Sequence, residues 1–246
     1  MFLFEVGRRV GFIETRMCFM AEIIQIPVAL SNRHVHLSRP HVEALFGEEH
    51  KLTPKYDLSQ PGQFACEECV EVVGPKGALK RVRVLGPERA ESQAELSITD
   101  GYILGVSLPV RQSGKIEGTP GGFLMGPKGA VKLEKGFICA ARHIHFTPED
   151  AKRGGIENGQ VLCVRTVGAR RVVFEEVIAR VSPEFDTEMH LDIDEGNAAG
   201  LRNGDLVEVI HGLCDLCGLL ECPLREDVSQ TGSRPFCSFA ETHRFG

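Results

Sequence analysis

Two histidine pairs, each split by one β-branched residue, are the groups in this chain best placed to do chemistry. Arg33-His34-Val35-His36-Leu37-Ser38 recurs as Arg142-His143-Ile144-His145-Phe146-Thr147. In an extended strand, residues two apart point to the same face, so each pair aims two imidazoles at one spot. Neutral imidazole is the commonest protein metal ligand. A single pair of this kind also fits a solvated surface strand. A duplicated pair with matching flanks favours a metal centre built from two related halves.

The elements around the pairs repeat as well. The strand-like run Ile23-Ile24-Gln25-Ile26-Pro27-Val28 leads into the first pair, and Phe137-Ile138-Cys139-Ala140-Ala141 leads into the second. Ser38 then reads as a helix N-cap with Pro40 in the first turn, and Val42, Ala44, Leu45 and Phe46 behind it. Thr147 reads as the matching cap, with Pro148 at the first helical position and Glu149 and Asp150 in the first turn. Each unit is therefore strand, ligands, cap, short helix. A second repeat, Gly74-Pro75-Lys76-Gly77 and Gly126-Pro127-Lys128-Gly129, fits tight hairpin turns rather than a phosphate loop, because it opens no helix and lacks the Walker spacing.

Further ligands are less distinct. Gln93, Glu95 and Ser97 alternate with Ala94, Leu96 and Ile98, a pattern for a strand with one apolar face. Glu95 could complete a His-His-carboxylate site, although a plain surface glutamate is the simpler reading from residues alone. His190 alternates with Met189 and Leu191 and could give the second pair a third nitrogen; a lone strand histidine is more often structural. Arg89 could hold an anion or be solvated.

Composition narrows the class. A chain of 246 residues with 42% hydrophobic content can bury one large core or two small ones. The many Gly, Pro, Val and Ile lean toward β structure joined by turns. A net charge of −6 argues against a nucleic-acid partner or an anionic membrane surface. No apolar run reaches the length of a membrane-spanning helix. Nine scattered cysteines, and a start containing Glu5 and Glu14 without a clean apolar core, fit free thiols in a reducing cytosol better than a secreted disulfide framework.

In Cys66-Glu67-Glu68-Cys69 the two thiols are three apart and face opposite sides of a strand, so packing is expected there rather than joint metal binding. Leu3, Val6, Val10, Ile13, Met17 and Met20 form a helical stripe. It reads either as a docking helix or as a disordered extension with Met17 or Met20 as the true start. The tail from residue 212 to 246 carries Cys214, Cys217, Cys222, Cys237 and His243; its spacing fits no standard zinc ribbon, and a disordered tail is expected.

From Ile23 to His211 the chain closely resembles the PduL-type phosphotransacylases, the phosphate propanoyltransferase family. The resemblance runs through Ser31-Asn32-Arg33-His34-Val35-His36-Leu37-Ser38, Gln60-Pro61-Gly62-Gln63-Phe64-Ala65, Gly86-Pro87-Glu88-Arg89, Pro109-Val110-Arg111, Gly118-Thr119-Pro120-Gly121, Ala141-Arg142-His143-Ile144-His145 and Glu188-Met189-His190-Leu191-Asp192. It implies a mainly β fold of two β-barrel domains with short capping helices and a dimetal site between them. One barrel would comprise residues 23–32 plus 141–211 and the other residues 33–140, with 1–22 as an N-terminal extension and 212–246 as a tail.

The resemblance also implies roles. His34, His36 and Glu95 match the ligands of a metal that meets the coenzyme A sulfur. His143, His145 and His190 match those of a second metal with open water positions. Arg89 matches the arginine that binds phosphate. The implied cofactors are two divalent ions, with zinc favoured over cobalt or nickel. The implied reaction interconverts a short-chain acyl-CoA, propanoyl-CoA or acetyl-CoA, plus phosphate with acyl phosphate plus CoA. A homodimer in the bacterial cytoplasm is implied, with a propanediol-degrading microcompartment and its shell or core proteins as a further address. The other classes in view are a metal-dependent thioesterase or phosphoester hydrolase and a non-catalytic CoA- or metal-binding module.

Overall fold

The computed structural model describes residues 24–210. The amphipathic N-terminal stripe and the cysteine-containing tail lie outside the described residues. The chain lays down one structural unit twice. The first runs β1 (Ile24–Ser31), β2 (His34–His36), α1 (Arg39–Phe46), β3 (Pro54–Asp57), β4 (Phe64–Val73), β5 (Ala78–Gly86), β6 (Gln93–Glu95), α2 (Ile98–Leu104), β7 (Val110–Arg111), β8 (Gly122–Met125) and β9 (Ala130–Leu133). The second runs β10 (Phe137–Ala140), β11 (His143–Phe146), α3 (Pro148–Gly154), β12 (Val161–Thr166), β13 (Val173–Val181), β14 (Glu188–Asp192), α4 (Ile193–Ala199) and β15 (Leu206–Ile210).

The pairing repeats with the order. β2 runs parallel to β5 and antiparallel to β6. β11 runs parallel to β13 and antiparallel to β14. Residues 81–105 and 176–200 correspond without a gap. Each stretch opens on a non-glycine residue at positive φ, Arg81 at 57° and Glu176 at 55°. Each then offers a hydroxyl that accepts a backbone N–H two residues past an HxH pair: Ser92 from Ser38 at 2.8 Å, and Thr187 from Thr147 at 3.1 Å. Each closes on a left-handed cap glycine, Gly105 or Gly200, a conformation that costs a side chain with a Cβ about 1–2 kcal/mol.

The units exchange their first strands. β1 enters the first histidine pair yet runs parallel to β14 of the second unit. β10 enters the second pair yet runs parallel to β6 of the first. The two crossings tie the sheets together, and side chains bridge them: Cys139 Sγ lies 3.1 Å from Asp192 Oδ2, and the Thr99 N–H donates to Asp194 at 2.8 Å.

The sheets differ in closure. β15 pairs with both β1 and β12 and completes a closed six-stranded barrel, ordered β1-β14-β11-β13-β12-β15. The other sheet has nine strands, in the order β7-β10-β6-β2-β5-β4-β8-β9 with β3 on β4, and its ladder stays open. It nevertheless curls until its ends converge. The Phe137 N–H donates to Pro120 O at 2.9 Å, and the Gly136 N–H donates to Thr119 Oγ1 at 2.9 Å. Phe137 is fully buried over Gly122, where an added Cβ would stand 2.6 Å from the ring. Each sheet encloses its own apolar cluster, one around Val35, Leu45 and Phe137, the other around Ile26, Ile144 and Met189.

Local expectations fare unevenly. Thr147 caps α3 by accepting the Asp150 N–H at 3.1 Å. Ser38 occupies the cap position of α1, but its hydroxyl is engaged 3.3 Å from Ser92 Oγ and makes no cap bond. The alternating strand around Glu95 is shorter than its pattern: it ends at Glu95, and Ser97 begins a capping box with Asp100. Both Gly-Pro-Lys-Gly segments turn hairpins, and each also caps a helix C-terminus. Lys76 N–H donates to Leu104 O and Lys128 N–H to Leu45 O, both at 3.0 Å. Cys66 is packed in the core and Cys69 is only half-buried.

Candidate metal centre

β2 and β6 build the first cluster. His34 stands opposite Glu95 in their antiparallel ladder. The donor atoms of His34, His36 and Glu95 all lie within 4.8 Å of one another. Glu95 Oε2 is 3.5 Å from His34 Nε2, and Oε1 is 3.6 Å from His36 Nε2. The three residues of β6 are all buried, so the polar side of the strand faces this pocket rather than solvent.

A small network steadies Glu95. Ser113 Oγ donates to Glu95 Oε1 at 2.6 Å, and Gln93 Nε2 donates to the same oxygen at 2.6 Å. Arg89 Nη1 donates to Ser113 Oγ at 2.9 Å and stands 3.9 Å from the carboxylate. Burial would raise the Glu95 carboxyl, but His34, His36, the Ser113 bond and Arg89 outweigh it and hold it below the usual carboxylate range.

β11 and β14 build the second cluster. His143 stands opposite His190 in their ladder, and the rings stack 5.1 Å apart at 6°. His145 completes the triangle, with centroids 4.8 Å from His143 and 4.8 Å from His190. Phe185 stacks on His145 at 4.1 Å. Both ring nitrogens of His145 are buried without a hydrogen-bond partner, which is costly unless something else occupies them.

Three observations fit these clusters to divalent ions. His34 Nδ1 lies 2.8 Å from Asn32 O, and His143 Nδ1 lies 2.8 Å from Ala141 O. In both, the proton is thereby fixed on Nδ1 and the Nε2 lone pair is left free, as in histidine ligands generally. Burial, then the charge of neighbouring imidazoles, pushes His36 down to about 3, His143 down to about 4 and His145 down to about 2. Neutral imidazole, the form that binds metal, is therefore the form present near neutrality.

The six candidate ligands from the sequence gather in these two clusters, three in each, and Arg89 sits beside the first. Arg180 escaped the sequence reading. It is the β13 partner of His145 in the parallel ladder, and its guanidinium lies 5.5 Å from the Phe185 ring centroid. Burial lowers both guanidinium groups from their ordinary values against the pull of Glu95, and the charge of Arg180 lowers Arg89 further. Both guanidinium groups therefore feel the Glu95 carboxylate, Arg89 from the β5–β6 connection and Arg180 from β13. The available signal was a lone charge in the apolar run Val177-Ile178-Ala179-Arg180-Val181. Arg142 is instead engaged 3.1 Å from Glu195.

A mainly β protein results, with a buried His34-His36-Glu95 group that could hold a metal ion in one unit and three packed histidines, His143, His145 and His190, in the other. A sequence model described as phosphate propanoyltransferase matches residues 27–202. The chain is 54% identical over 177 residues to a phosphate propanoyltransferase of Enterococcus faecalis, covering 72% of this chain and 84% of that protein. It is 52% identical over 187 residues to the phosphate propanoyltransferase of Thermotoga maritima, covering 76% and 89%. It is 49% identical over 184 residues to that of Rhodobacter capsulatus, covering 75% and 86%. The chain belongs to the phosphate propanoyltransferase family and is a transferase of the phosphotransacylase class.

Proposed function

We propose that this enzyme transfers a short acyl group, propanoyl or acetyl, between coenzyme A and phosphate at a dimetal site. The observation that carries the reading is the His34, His36 and Glu95 donor cluster with Arg89 3.9 Å from its carboxylate, in a chain of this family. His34, His36 and Glu95 would hold one ion, and His143, His145 and His190 the other, with zinc the best fit to such donor sets. Ions held there would supply Lewis-acid polarisation and a soft partner for the CoA sulfur.

The chain's own groups do the rest. Arg89 and Arg180 offer planar forks for charge-assisted hydrogen bonds to phosphate oxygens. Ser113 and Gln93 fix the Glu95 carboxylate, so its two oxygens stay aimed at His34 and His36. A phosphate oxygen attacks the thioester carbonyl, the C–O bond forms, the C–S bond breaks, and the electron pair leaves with the CoA sulfur. The arginines hold the nucleophile in place and offset the negative charge that gathers during attack.

Among the described residues no helix is long and apolar enough to cross a membrane. The setting we propose is the bacterial cytoplasm, with a microcompartment and its shell or core proteins as a further address. A homodimer is proposed as the assembly, using the exposed apolar face of Ile98, Tyr102 and Ile103 on α2. A panel of acyl-CoAs of increasing chain length, assayed for thiol release with and without phosphate, tests the activity. Release should require phosphate and favour two- and three-carbon acyl groups; equal release without phosphate would overturn the reading.

A further inference from the structure

We propose that Glu188 is a positioning residue that orients His190 for its ion, and that Ser59 and Gln60 of the opposite sheet hold it in place. The inference rests on reading His143, His145 and His190 as a metal site. Gln93 precedes Glu95 by two residues, and Glu188 precedes His190 by two; in a strand each pair shares a face. In the first unit Gln93 Nε2 donates to Glu95 Oε1 at 2.6 Å. In the second, Glu188 Oε2 lies 3.3 Å from His190 Nε2. The polarity inverts with the ligand: an amide donor serves a carboxylate, and a carboxylate serves an imidazole.

His190 needs such a partner. His34 and His143 each have a backbone carbonyl at Nδ1. Among the described residues His190 has no carbonyl anchor, and Glu188 is the polar group beside its ring. His190 Nε2 makes no hydrogen bond elsewhere, so a carboxylate beside it would take that N–H, leave Nδ1 for the ion, set the orientation of the ring and strengthen it as a donor.

The support for Glu188 comes across the sheets. Ser59 Oγ donates to Glu188 Oε2. Gln60 Nε2 donates to Asp186 O at 3.1 Å, two residues upstream, and the Gln60 side chain is buried with its Oε1 unpartnered. Gln60-Pro61-Gly62-Gln63 forms a tight turn: the Gln63 N–H donates to Gln60 O at 3.2 Å, and Gly62 sits at φ 73°. Proline and a positive-φ glycine at the two central positions fit a type II turn, a stiff mount for the two residues that reach across. This gives a task to a motif that the reaction itself leaves unused.

The test uses the full chain loaded with cobalt(II), whose visible absorption reports ligand geometry, together with chelator competition for each ion. Wild-type protein should hold two ions, and His143→Ala should lose one. Glu188→Gln should weaken the ion that His143→Ala loses by roughly 10- to 100-fold and shift its absorption, with the other ion unchanged. Ser59→Ala, at an exposed position, should shift the same band less. Gln93→Ala should perturb the other ion instead. Two ions in the wild type, with unchanged affinity and absorption in both Glu188→Gln and Ser59→Ala, would overturn the positioning role alone. A wild type with no ion sensitive to His143→Ala would overturn the underlying site and the proposal together. A lower melting temperature of metal-free Glu188→Gln with an unaltered cobalt spectrum would mark Glu188 as merely structural, against the proposal.

Discussion

Glu95 and His190 hold the same position in the two units. Glu95 faces His34 across one antiparallel ladder, and His190 faces His143 across the other. One geometry therefore delivers a carboxylate to the first cluster and an imidazole to the second. The first donor set carries a negative charge and the second is neutral. A divalent ion held by the neutral set would keep more of its positive charge, which would suit that side to an anionic substrate.

Metal content follows from the two triads. Elemental analysis of purified protein should find about two equivalents of divalent ion per chain, as two three-ligand sites with open positions require. His143→Ala and His34→Ala should each retain about one. Unchanged content in either variant would remove that residue from its site.

Phosphate recognition should be shared between the sheets. Arg89→Ala and Arg180→Ala should each raise the apparent KM for phosphate and slow turnover while sparing metal content. A bidentate contact strengthened in the transition state is worth on the order of 2–4 kcal/mol, roughly 30- to 1,000-fold in kcat/KM. Lysine at either position should recover only part of the loss, because it lacks the planar fork. Phosphate kinetics indifferent to both alanine variants would place the anion elsewhere.

Glu195 should make stability depend on pH. Burial, then Asp192, pushes its carboxyl up to about 7 against the pull of Arg142. The folded protein thus keeps a proton that the unfolded chain, at the ordinary value of 4.5, has released. Its contribution is full below about pH 4.5 and is lost as pH rises to about 7. Glu195→Gln should flatten that decline by about 1–2 kcal/mol, after allowance for partial solvent screening. Denaturant melts of both proteins at pH 5 and pH 8 read the difference; equal slopes would contradict the shift.

Phe137 should be the costliest single truncation in the open sheet. It is fully buried where the two ends of that sheet meet. Phe137→Ala should cost about 3–5 kcal/mol in urea unfolding. A loss below about 1 kcal/mol would mean that the curl does not depend on this ring.

Much of this was legible in the residues. The HxH pairs, their entering strands and the Thr147 cap followed from period and cap chemistry, which are local. The third ligands were not, because Glu95 and His190 meet their histidines only through ladder register across long stretches of chain. The resemblance to a family supplied them. The gapless correspondence of residues 81–105 with 176–200 was hidden because few identities survive; what repeats is a positive-φ bulge, a hydroxyl, a ligand and a cap glycine. Arg180 was missed for the same reason: its meaning lies in its pairing with His145. The open ladder of the second sheet depends on β8 and β9 taking the edge of β4, a tertiary choice that no local pattern encodes.

The fate of phosphate tests the proposed acyl transfer most directly. Metal-loaded enzyme is given propanoyl-CoA and inorganic phosphate, and phosphorus NMR is followed alongside thiol release. A new acyl phosphate resonance should grow in step with free thiol, and no thiol should be released when phosphate is withheld. Thiol release with the inorganic phosphate signal unchanged would show water as the nucleophile and contradict the proposed transfer.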